Sequence, residues 1–103
     1  MPDDKIAEWY RTSDGNDYFR FSFERQADGN WRAYITEMPG YDSRDASPSV
    51  SHRLPDGARF FVCWSTSLRK LEDCKDVAAA WANMTSVYIR TGKTLNAQAA
   101  ERN

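Results

Sequence analysis

Tyr18-Phe19-Arg20-Phe21-Ser22-Phe23-Glu24, then Asp28-Gly29-Asn30, then Trp31-Arg32-Ala33-Tyr34-Ile35-Thr36 is the stretch that decides the fold. Side chains alternate between the two faces of a strand. Phe19, Phe21 and Phe23 therefore share a face with Trp31, Ala33 and Ile35, and the opposite face is mixed polar. Asp-Gly between alternating runs is a hairpin signal, because Gly takes the positive φ of a tight turn.

Working outward, Ile6–Thr12 reads as a weaker first strand. Ser13-Asp14-Gly15-Asn16 is its turn, so residues 6–38 form a three-strand meander. Pro39-Gly40 ends the third strand, since Pro has no N–H for the ladder. Residues 39–49 are an irregular segment rich in turn formers around one ring, Tyr41. Val50–Leu54 reads as a short strand and Leu54-Pro55-Asp56-Gly57 as a turn. Ala58–Trp64 is apolar on both faces, which predicts a strand covered on both sides.

At 100° per residue, Leu71, Cys74, Val77, Ala78, Trp81, Thr85, Tyr88 and Ile89 gather on one stripe. Glu72, Asp76, Asn83, Ser86 and Arg90 lie opposite, giving an amphipathic helix. Glu72 and Asp73 suit the positive end of its dipole, Arg90 the negative end, and Gly92 the position after its last turn. Ser65, Thr66 and Ser67 are candidate caps. Residues 93–103 have almost no apolar face, so a frayed tail or one loose turn is expected. A half-apolar meander and one apolar helix stripe must cover each other. The expected fold is α+β: two layers, an antiparallel sheet of four to five strands against one long C-terminal helix. The 103 residues are read as one domain with its ordered core at 5–92. Trp81 is expected to stack on Phe19, Phe21, Phe23, Trp31 and Ile35.

Composition narrows the function. The formal net charge is -1, which disfavours nucleic acid as a partner. There are 4 Trp, 5 Tyr and 5 Phe against 11 Leu, Ile and Val, more rings than the core requires. Surplus rings at the surface can anchor a partner. The acidic start lacks an apolar signal region, and no apolar run approaches a membrane span, so a cytoplasmic protein is expected. Cys63 and Cys74 read as two small buried thiols, with a single disulfide between the last strand and the helix as the alternative.

Chemistry is sparse. His52 is the one histidine, and Asp42, Asp45, Asp56 and several serines lie near it in sequence. A Ser-His-Asp array is recognised by geometry, but no nucleophile elbow or Gly-rich oxyanion loop accompanies it. No catalytic residue is assigned, and His52 is read as pairing with a neighbouring carboxylate for structural reasons. Metal spacing, a P-loop and a dinucleotide fingerprint are all missing, so no metal or cofactor is expected.

Three resemblances bear on role. A Trp31-Arg32-Ala33-Tyr34 strand after an Asp-Gly turn, in a sheet backed by one helix, resembles the AP2-type and integrase arm-binding DNA readers. That likeness implies a reading face of Tyr18, Arg20, Arg32 and Tyr34, with stacking on bases. Asp42-Ser43-Arg44-Asp45, the run Val50–Trp64, Val77–Asn83 and Tyr88–Gly92 resemble small uncharacterised bacterial domains of phages, plasmids and other mobile elements. That family carries no assigned activity. Glu37-Met38-Pro39-Gly40 and the Leu71-Glu72-Asp73 helix start are similar to HicB-like antitoxin domains, except that 30 residues separate the two here.

Three readings stand. The first is a non-enzymatic module that docks another protein, as an inhibitor or accessory factor of a mobile element, through Tyr41, Asp42, Arg44, Asp45, His52 and Arg53. Long irregular segments in small domains often carry function, although an Arg44 and Asp45 that merely pin the loop are an equal alternative. The second is a sheet-face nucleic-acid binder, and the third an enzyme using His52. A homodimer through an edge strand, either the first or the one before Pro55, is a further possibility.

Overall fold

The computed structural model describes residues 4–64 and 67–101. Strands β1 (Lys5–Arg11), β2 (Tyr18–Arg25) and β3 (Trp31–Glu37) form the expected meander. A single turn, α1 (Pro48–Ser51), precedes β4 (Arg53–Asp56) and β5 (Arg59–Val62). Helix α2 spans Leu71–Thr91, and α3 spans Leu95–Glu101. The five strands form one antiparallel sheet in the order β1-β2-β3-β5-β4, with the long helix packed against it.

Pro55 explains the strand order. Proline cannot donate to a ladder, so the strand carrying it belongs at an edge. β4 is that edge, and apolar β5 lies inside it against β3. Two local expectations are corrected here. Residues 48–51 are helical, with Pro48 at the start where a missing N–H costs nothing. Leu54, Pro55 and Asp56 are strand, and the turn falls at Gly57, whose φ is +61°.

Phe19, Phe21, Phe23 and Ala33 are buried against Cys74, Val77, Ala78, Trp81, Ala82 and Tyr88. Trp81 is 2% exposed and meets Phe19 and Phe21 edge-on at 5.6 and 6.2 Å. Its indole N–H donates to the Ser51 carbonyl at 2.9 Å, tying the helix to α1. Cys63 and Cys74 are both free thiols; Cys74 is buried, which pushes its pKa up to about 12.

The polar side of α2 departs from expectation. Asn83 accepts from the Ser13 backbone at 2.9 Å and from the Tyr10 hydroxyl at 3.1 Å. The Asp17 carboxylate accepts from the buried Ser86 hydroxyl and from Arg90. The helix side that reads as solvent-facing therefore clamps the β1–β2 turn. The tail also differs: Leu95 is buried, and the Gln98 amide donates to Met84 and Lys93 carbonyls, so 95–101 hold a helix despite their weak apolar pattern. Lys70 precedes α2 without a side-chain cap; among the candidate caps, Ser65 and Thr66 lie outside the described residues. No helix among the described residues is long and apolar enough to cross a membrane.

Candidate functional site

The six residues of the 39–53 region do not make one site. Arg44 lies across the carbonyl end of α2, donating to Ile89 at 3.2 Å and Arg90 at 3.5 Å. Those carbonyls have no helical partner and carry the negative end of the dipole, so a guanidinium belongs there. Gly92 makes this possible: its φ is +82°, and a Cβ would come within 2.9 Å of the Arg44 guanidinium. The Asp45 carboxylate accepts from the Ser47 backbone at 2.8 Å, and its carbonyl accepts from the Tyr88 hydroxyl at 2.8 Å. Asp42 is exposed and turns the chain at φ 53°.

Tyr41 is half-buried against Tyr88, their rings 6.4 Å apart, and burial raises its phenol pKa. Arg53 stacks over Tyr41 at 4.8 Å and Phe60 at 3.9 Å. His52 takes a left-handed conformation after α1, and its buried Nε2 has no hydrogen-bond partner. Among the described residues no hydrogen bond or ion pair joins the His52 ring to a carboxylate, which corrects the expected pairing. Among the described residues no cluster of three or more His, Cys, Asp or Glu could hold a metal. The irregular segment reads as an anchored strap.

The outer face of the sheet is different. Helix α2 packs on the other side of the sheet, and the odd positions of β1 share the outer face with the even positions of β2 and β3. Trp9 lies opposite Arg20 and Arg11 opposite Tyr18. The Arg20 guanidinium sits 5.8 Å from the Trp9 ring, and that of Arg11 sits 5.8 Å from the Tyr18 ring. Trp9 is 57% exposed and Tyr18 56%. Two rings and two cations thus form an open chequerboard. Arg11 also donates to the Gly15 carbonyl, and Glu37 approaches Arg20 at 3.8 Å.

A second chequerboard on β3 and β5 is closed. Arg59 covers Tyr34 at 3.7 Å, and Arg32 covers Phe61 at 4.2 Å. Acids occupy both cations: Glu24 holds Arg59 at 2.8 Å, and Asp56 takes Arg32 at 3.4 Å and the Tyr34 hydroxyl at 2.6 Å. Tyr34 is only 2% exposed, which corrects its expected place on an open reading face. Of that expected face, Tyr18 and Arg20 are open, and Arg32 is engaged. Trp9 and Arg11 were missed because β1 alternates weakly: Ala7 interrupts the polar row and Trp9 reads equally well as core.

Glu24 is the electrostatic centre of the closed half. The Arg59 hydrogen bonds hold its carboxyl below the ordinary value of 4.5, against the opposing effect of burial, with help from the Ser22 hydroxyl and Lys5. A carboxylate depressed in the folded state stabilises the fold above its unfolded pKa, and loses that contribution as pH falls through the folded value. The stability gap between wild type and Glu24→Gln should therefore be full at pH 7 and shrink progressively below pH 4.5. Urea midpoints of both proteins from pH 7 to pH 3 measure this; a gap that does not change with pH would remove Glu24 from the account.

The chain matches no protein-family model, no curated protein and no solved structure at a significant level.

Proposed function

We propose that this chain is a non-enzymatic binding module that docks another protein through the open outer face built from Trp9, Arg11, Tyr18 and Arg20. The partner presents carboxylates to the two guanidiniums and apolar groups to the two rings. In line with the resemblance to mobile-element domains, the module acts as an inhibitor or accessory factor by occupying that partner. The observation that carries this reading is the pair of rings more than half exposed, each with an arginine guanidinium 5.8 Å from its centre. Trp, Tyr and Arg are the residues that dominate binding energy at interfaces. An arginine held within cation–π range of a ring has surrendered part of its rotamer freedom before binding, which lowers the cost of association.

Polyanion binding fits less well. Lys5, Arg20, Arg32 and Arg59 on this face are already opposed by Glu24, Glu37 and Asp56. Binding to phosphates needs several free cations, and those three carboxylates would repel them.

Photo-crosslinking from a benzoylphenylalanine replacing Tyr18, with Asn96 on α3 as the control position, tests the face. The expected result is a protein adduct from position 18 alone. Trp9→Ala with Arg20→Glu should weaken affinity for the adducted protein about 30-fold or more, as for interface hot spots of ~2 kcal/mol or above. Both side chains are surface residues, so unfolding midpoints should stay near wild type. Nucleic-acid adducts, or undiminished affinity in the double variant, would overturn the reading.

A further inference from the structure

We infer that β1 is a pairing edge for a second copy of this chain, joined antiparallel about Ala7. This does not rest on the docking face proposed above. The sheet has two edges, β1 and β4. β4 has four residues and contains Pro55, which cannot donate. β1 has seven residues, no proline and an unbroken register with β2.

Among the described residues, the backbone of β1 shows which groups β2 leaves unpaired. The Thr12 N–H donates to the Asp17 carbonyl, so Thr12 faces β2. Backbone direction alternates along an antiparallel strand. Tyr10, Glu8 and Ile6 therefore also face β2, and Arg11, Trp9, Ala7 and Lys5 aim their N–H and C=O groups outward. Such a row is a template for another strand.

A two-fold axis normal to the sheet pairs residues of the same face, which leaves three central registers. Centring on Glu8 places Glu8 against its own copy and Lys5 against Arg11 of the partner subunit, two like-charge contacts that are unfavourable on a sheet. Centring on Trp9 sets the two Trp9 rings against each other with their stacked arginines in one row, and runs the pairing into Ser13, whose N–H already donates to Asn83. Centring on Ala7 avoids both. It gives rungs Lys5–Trp9, Ala7–Ala7 and Trp9–Lys5, all between outward-facing residues. Each Lys5 ammonium, whose side chain is 73% exposed and lies 3.9 Å from Glu24, then reaches the partner's Trp9 ring. The small Ala7 side chains let the strands meet at the axis. Two five-stranded sheets become one continuous sheet with both outer faces on the same side.

Sedimentation of the wild-type chain across micromolar to millimolar concentration is expected to show a monomer–dimer equilibrium. Ala7→Pro removes an outward N–H and no bond to β2, so it should preserve the circular dichroism and weaken the dimer about tenfold or more. A Cys at position 7 faces itself across the axis at about 5.5 Å between Cα atoms, a spacing that a disulfide accepts. In a Cys63→Ser background, Ala7→Cys should oxidise to a covalent dimer faster than Trp9→Cys. A wild-type monomer at every concentration, an Ala7→Pro chain that dimerises like wild type, or preferential cross-linking through position 9 would each overturn the inference.

Discussion

Replacing Trp81 with Ala is expected to lower the unfolding free energy by about 3–5 kcal/mol, the cost of removing a large buried ring. Trp81 is the contact between layers: its edge meets Phe19 and Phe21, and its N–H reaches Ser51. A domain of this size holds about 5–15 kcal/mol in total, so the variant should be marginal at room temperature. Trp81→Phe keeps a ring against the phenylalanines but leaves the Ser51 carbonyl without its donor, and should cost about 1–3 kcal/mol. Urea unfolding of both variants tests the packing. A Trp81→Ala midpoint close to wild type would mean that α2 does not cover the sheet as described.

The second large effect is expected on the other side of the sheet. Tyr34→Ala should cost about 3 kcal/mol or more, because the ring is buried beneath Arg59 and beside Phe61. Tyr34→Phe keeps the stack and removes the hydroxyl that Asp56 accepts. Asp56 is exposed enough to regain water, so that change should cost only about 1 kcal/mol. An open surface tyrosine would tolerate either change to within about 0.5 kcal/mol. The pair of unfolding measurements therefore distinguishes a small second core from a solvent-facing row.

That contrast marks how far the sequence could be read. The period-two pattern of Phe19, Phe21 and Phe23 and the 100° stripe through Trp81 both survive in the structure, because each records burial against a single opposing layer. Tyr34 obeys the same alternation and does face outward. It is buried by Arg59, a residue 25 positions away and brought next to it when β5 pairs with β3. Alternation reports which face a side chain takes, not what later covers that face. Ser86 shows the reverse: it lies off the apolar stripe, yet is buried because Asp17 arrives from the β1–β2 turn.

The candidate site was legible only in part. Tyr18 and Arg20 stand on the expected outer face, whereas Trp9 and Arg11 join them through the register of β1 against β2. Arg44, by contrast, looks like recognition text in an irregular segment and proves to be a counter-charge to the end of α2.

By itself the sequence determined the class of fold: a meander with one apolar face and a long helix with one apolar stripe. These follow from local periodicity and backbone chemistry, which each segment carries alone. Only the tertiary structure decided which outward residues stay open. Exposure on the second face depends on cations and acids contributed by distant strands, and Glu24 and Asp56 close one chequerboard while the Trp9–Arg20 and Arg11–Tyr18 pairs remain available.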